Sequence, residues 1–147
     1  MKFKFNLEAL LKHRSYLEEI ARKEYFVAKQ AADDSLFKIN SMWKEIDNVR
    51  NKMMVEQSGG GHKSELLATM DEFINGHKVR LDREKQNLRE LMLIADEKRE
   101  ILVEAAKEHK ILIKLKEKMK ERHKQVLKKK EVKAIDDIVT TRHKRSS

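Results

Sequence analysis

Between Ala21 and Met53 the uncharged positions step by four and three residues in alternation: Ala21, Tyr25, Ala28, Ala32, Ser35, Ile39, Met42, Ile46, Val49, Met53. No member of the series is charged. Its seven-residue period is that of a left-handed coiled-coil seam, narrower than the apolar face of a helix in a globular core. Toward the start the stripe continues through Leu17, Leu11, Leu10 and Leu7, with a slip of phase near Leu17. A second series keeps the alternation from Leu67 through Met70, Ile74, His77, Leu81, Glu84, Leu88, Leu91, Ala95, Lys98, Leu102, Ala105 and His109 to Leu112. Glu84 and Lys98 interrupt its apolar character, and two readings are open for them. Either they fix register at a cost in stability, or their long stems reach out of a seam half open to water.

Glu56-Gln57-Ser58-Gly59-Gly60-Gly61-His62-Lys63-Ser64 separates the two series. Three consecutive glycines disfavour a helix, and Ser64 is a suitable N-cap for a second one. The pattern predicts a helix over about 5–56, a turn at about 57–63 and a helix over about 64–140, together forming a single domain over 1–147. A turn this short permits an antiparallel pair and excludes a parallel one within the chain. Pairing Met53 with Leu67 makes facing residue numbers add to about 120 and sets Leu7 opposite Ile113. The paired section is then roughly 45 residues per arm, or about 70 Å at about 1.5 Å per residue. Beyond Lys114 no partner helix remains, which leaves a single-helix overhang of about 25–30 residues, up to about 40 Å long. The fold class is all-α: two long helices in an antiparallel coiled-coil hairpin with a C-terminal helical overhang.

Composition supports this. Of 147 residues, 40% are charged and 39% hydrophobic, with four Gly, no Pro and no Cys. So many charges cannot be hidden in a thick core. Without cysteine there is no disulfide scaffold, cysteine zinc site or thiol nucleophile. No apolar run approaches the roughly 18–20 residues that span a bilayer. The opening Met1-Lys2-Phe3-Lys4-Phe5-Asn6-Leu7-Glu8 puts an amide and a carboxylate where a signal peptide needs apolar residues, so a cytoplasmic location is expected. Residues 1–106 hold 19 Lys+Arg and 19 Asp+Glu, whereas residues 107–147 hold 15 and 6; the net charge of +9 thus sits wholly in the last part of the chain. Leu115, Met119, Val126, Leu127, Val132, Ile135, Ile138 and Val139 persist among those lysines. An unpaired helix with an apolar stripe stands poorly alone in water and is suited to being covered by another molecule.

Little in the chain points to catalysis, which needs a concave pocket where groups converge. Gly61-His62-Lys63-Ser64 interrupts the contiguous Gly-Lys-Ser/Thr of a phosphate-binding loop, and no strand precedes it. His13, His62, His77, His109, His123 and His143 include no pair three or four apart, and no Glu stands three residues before any of them. A zinc helix or a di-iron bundle is therefore not coded, and no cofactor is expected. The basic end suits phosphates on nucleic acid, yet it lacks aromatics for stacking, and an antiparallel hairpin cannot build the parallel fork of a zipper-type reader. Acidic lipid is disfavoured by the missing Trp and Phe, while a protein cavity with acidic or polar walls fits both charge and stripe. A merely solvated face is the remaining alternative. Near the turn lie Phe37, Trp43 and Phe73. Trp43 follows seam residue Met42 and Phe73 precedes seam residue Ile74, so their rings either widen a thin core or anchor a partner.

Phe3-Lys4-Phe5-Asn6-Leu7-Glu8-Ala9-Leu10-Leu11-Lys12-His13-Arg14, then Glu18-Glu19 and Ala21-Arg22-Lys23-Glu24, resembles the opening of the FliJ family, small coiled-coil components of the bacterial flagellar export apparatus. The ending is similar as well: Leu115-Lys116-Glu117-Lys118, Lys129-Lys130-Glu131, Ile135-Asp136-Asp137-Ile138 and Arg142-His143. Asp137 stands where the family more often has Glu, and His143 where it more often has an aromatic. The resemblance implies a non-enzymatic protein, similar to the central stalk of rotary ATPases. Such a protein inserts its terminal coiled coil into the hexameric ring of the export ATPase FliI and promotes the ring's assembly. It also contacts the export gate FlhA, escorts empty export chaperones, and meets the membrane only through its partners. On this chain, ring contact is expected at Lys116, Lys120, Arg122, Lys124, Lys128, Lys129, Lys130, Lys133 and Arg142. Gate or chaperone contact is expected at Met42, Trp43, Ile46, Phe73 and His77. The rival expectations are a basic nucleic-acid-binding hairpin and a general coiled-coil spacer.

Overall fold

The computed structural model describes residues 2–59 and 64–146. Two helices account for nearly all of them: α1, Glu8–Ser58, and α2, Ser64–Ser146. They pack against each other as a helical hairpin, and no strand occurs among the described residues. Neither helix contains a proline, and Gly76 is the single glycine within them, so nothing interrupts either hydrogen-bond ladder. Of the expected turn, residues 60–63 lie outside the described residues. Gln57 and Ser58 belong to the last turn of α1, where the Ser58 hydroxyl donates to the Val55 carbonyl at 3.1 Å.

The chain divides into two compact units, Met1–Ile20 with Val103–Ser147, and Ala21–Leu102. In the second unit every position of the alternating series from Ala21 to Met53 and from Leu67 to Leu102 is buried or half-buried. Ile46 is wholly buried and Leu81 is 2% exposed, so these two are the best-packed large side chains. Polar members of the seam find partners across it. The Ser35 hydroxyl donates to Glu84 at 2.8 Å, Lys38 reaches the same carboxylate at 3.3 Å, and Lys98 meets Glu24 at 3.2 Å.

In the first unit the pairing is again antiparallel, with Arg14 bonded to Glu108, His109 to Glu18, and Lys116 to Glu8 at 2.8 Å. Paired residue numbers add to between 119 and 127 in the two units, matching the register read from the turn. Near Leu17, where a slip of phase is expected, the strict alternation carried back from Ala21 meets half-buried Glu18, Arg14 and Leu11, and Leu17 is half-buried beside them. Leu7 and Leu10 are equally exposed at 38%, while Arg14 and Glu18 are half-buried charged members of the pair. Charge concealed these positions from a reading based on apolar residues.

Helix α1 starts at Glu8, not at residue 5. The Leu7 carbonyl accepts its first helical bond, from the Leu11 amide at 2.8 Å, and Lys2–Phe5 precede it as a non-helical segment. Phe5 is 7% exposed, and the Phe3 ring lies 5.7 Å from that of His123. Lys116, Met119 and His123, which continue the α2 seam, are half-buried. The segment therefore takes the place of the missing helix beyond Lys114. The uncovered stretch of α2 is correspondingly shorter than sequence suggests, comprising Lys128 to Arg145, in which every residue is exposed.

Candidate functional surfaces

Three surfaces stand apart from the self-contained seam. The first is the end of α2. Residues 128–145 carry seven Lys+Arg against three Asp+Glu. Val132, Ile135, Ile138 and Val139 are 54–60% exposed there, with no second element over them. Each such residue buried by a partner is worth about 1.5–3 kcal/mol, while the cations select for an acidic or polar wall. Of the residues expected at a ring contact, Lys120, Arg122, Lys124, Lys128, Lys129, Lys130, Lys133 and Arg142 are all exposed. Lys116 differs, being half-buried and bonded to Glu8, so it helps hold α1 to α2.

The second and third surfaces are the two flanks of the seam in Ala21–Leu102. In an antiparallel pair, positions just after the second seam position of each heptad share one flank, and positions just before the first share the other. Glu24, Ala31, Lys38 and Glu45 of α1 lie on one flank with Phe73, Arg80 and Ile94 of α2. Its charges are tied together: Glu45 meets His77 Nε2, Arg80 donates to His77 Nδ1 at 2.7 Å, and Lys38 meets Glu84. Phe73 stacks on His77 with ring centroids 4.3 Å apart. Farther from the turn, the small side chains of Ala28 and Ala31 leave a shallow apolar groove with Val27, Leu91 and Ile94.

Trp43 lies on the opposite flank, 37% exposed, with the Lys85 ammonium 5.4 Å from its ring centroid in a cation–π contact. Trp43 and Phe73 therefore do not form one patch. Of the residues grouped with them at the sequence level, Met42 is half-buried in the seam, Ile46 is wholly buried and His77 is buried. Only the two aromatic rings of that group offer substantial surface. The signal was present in the chain: one ring follows a seam residue and the other precedes one.

Glu84 is the most closely held carboxylate. The Ser35 hydroxyl, the Asn87 amide at 3.1 Å and Lys38 surround it and hold its pKa below the ordinary carboxylate range, against the opposing effect of burial. It sits in the two-helix seam, where its bonds to Ser35 and Lys38 join α1 to α2. Among the described residues no three His, Cys, Asp or Glu side chains converge as a metal site, and no helix is long and apolar enough to cross a membrane.

No curated protein and no solved structure is matched by this chain. The family model described as flagellar FliJ protein matches residues 3–147, essentially end to end. With a hairpin that leaves the end of α2 uncovered, and a family match spanning both helices, the chain belongs to the flagellar FliJ family, a non-catalytic component of the flagellar export apparatus.

Proposed function

We propose that this chain is the stalk and adaptor of the flagellar export machinery. It inserts its C-terminal helical segment into the hexameric ring of the export ATPase FliI, promotes ring assembly, and links the ring to the export gate FlhA and to export chaperones. The observation that carries the reading is the Lys128–Arg145 segment, helical, cationic and apolar-striped, with every residue exposed. The segment prolongs α2 with its apolar stripe in water, so a channel that covers the stripe and faces its lysines with carboxylates recovers free energy unavailable to the isolated chain. The protein reaches the inner face of the cytoplasmic membrane through the gate. Chemistry stays with the ATPase; this chain supplies a shaped, charged insert.

Reversing Lys128, Lys129 and Lys130 together to Glu tests the division of labour. Stimulation of the ATPase falls at least tenfold while gate binding survives, because the gate contact lies on Ala21–Leu102, around Trp43 or Phe73. Equal loss of both activities contradicts the assignment, and unchanged stimulation removes the ring contact from this segment.

A further inference from the structure

The flank marked by the Trp43–Lys85 contact has a composition that the hairpin itself does not use. Counting whole heptads outward from that contact, toward the termini on α1 and away from the turn on α2, Leu36 comes opposite Met92 and Lys29 opposite Arg99. In the other direction Arg50 comes opposite Lys78. Four levels thus read cation–cation, apolar–apolar, aromatic–cation and cation–cation. No carboxylate stands in these two rows until Asp71, near the turn. Like charges facing each other across a seam cost a hairpin stability. Lys29, Arg50, Lys78 and Arg99 make no ion pair with any described residue, although Asp33, Asp47, Asp82 and Asp96 stand within a turn of them. On the other flank Glu24, Lys38, Glu45 and Arg80 all reach partners across the seam or beside it.

We propose that this flank is the docking surface for an acidic amphipathic helix of another protein, which lies along Ala21–Leu102 as a third strand of the coiled coil. Leu36, Trp43 and Met92, 37–52% exposed, are its apolar anchors. The cation pairs at either end take its carboxylates. The levels repeat every seven residues, about 10.5 Å, and the four span about 32 Å, the length of a helix of about 21 residues. Width selects the occupant further. Asp33 and Asp47 on α1, and Asp82 and Asp96 with Arg89 between them on α2, stand in the next rows outward, so the strip without carboxylates is one helix wide. A helix of about 10 Å diameter fits between them, whereas a broad polyanion such as duplex DNA meets the aspartates. A second copy of this chain is disfavoured because it brings the same cations to the strip, or the still more cationic end of α2. Docking here is independent of ring entry, which concerns the other unit.

A synthetic 21-residue helix with leucine at seam positions and flanking glutamates is the probe, with a twin carrying lysine in place of each glutamate. Trp43 is the single tryptophan of the chain, so its emission reports docking at this flank directly. The acidic peptide shifts Trp43 emission and binds less tightly as salt rises. Its affinity drops at least tenfold in the triple variant K29E/K78E/R99E and in M92S, while Lys44→Glu, outside the strip, leaves it unchanged. Helix content by circular dichroism and the melting midpoint show that the variants remain folded; Lys85→Met, which keeps the apolar stem, serves as a milder charge test. Equal binding of the lysine twin reduces the surface to unspecific stickiness and overturns the proposal. So does tighter binding of a 21-base-pair duplex, or concentration-dependent self-association abolished by M92S. No binding of the acidic peptide also overturns it.

Discussion

Replacing Phe5 by alanine isolates the contact by which a non-helical segment stands in for a helix. The ring is 7% exposed and shares a concavity with Phe3, Glu8 and Lys116. Complete burial of a phenylalanine is worth about 1.5–3 kcal/mol, and alanine keeps only the first carbon, so about 2 kcal/mol of docking free energy goes with the ring. A cavity penalty adds little, since a terminal segment detaches where a core residue must leave a void. The docked population then falls by about thirtyfold relative to the undocked one. Helices α1 and α2 keep their own pairing, including Lys116–Glu8 and Arg14–Glu108, so the global unfolding midpoint moves little. The assay is amide exchange resolved along the chain, combined with the His123 ring resonances, which feel the Phe3 ring at 5.7 Å. Exchange quickens at 116–123 alone and the His123 resonances move toward those of a solvated ring. Phe5→Leu restores much of the difference. A large drop in global stability without selective change at 116–123, or unmoved His123 resonances, refutes this role for the segment.

Two further outcomes concern the seam. Ile46→Ala and Leu81→Ala each cost about 2–5 kcal/mol in urea denaturation, because both side chains are essentially without solvent contact, while Phe37→Ala, 74% exposed, changes stability by less than about 0.5 kcal/mol. Glu84 supplies a pH dependence of known sign. Its folded-state pKa is held below the ordinary glutamate value of about 4.3, so its contribution is fully present above that value and is lost as pH falls below it. Glu84→Gln flattens that acid limb of the stability curve, with Ser35→Ala flattening it in part.

The long-range architecture was readable because a period of 3.5 sustained over many heptads has one geometric consequence, and a single glycine cluster allows one reversal. The details that escaped were those where polarity or shortness hid the pattern. Arg14 and Glu18 are half-buried because they pair with Glu108 and His109, and an apolar count passes over them. Lys2–Phe5 is too short to show any period, yet Phe3 and Phe5 extend the covered part of α2 past the start of α1. Trp43 and Phe73 were grouped by their nearness along the seam; which flank each takes depends on a position one before or one after a seam residue. His77 and Ile46 are seam members in the sequence, and their burial in the pair leaves them little surface for the gate or chaperone contact expected of them.

Enclosure of the cationic end of α2 by a partner ring is the central claim. Amide exchange of the full-length chain, alone and with the assembled export ATPase, tests it most directly. Alone, residues 128–145 exchange rapidly, as befits a helix with nothing packed on it; with the ring present their exchange slows by more than tenfold while Ala21–Leu102 changes little. Rapid exchange at 128–145 that persists in the complex, with new protection appearing in Ala21–Leu102 instead, contradicts it.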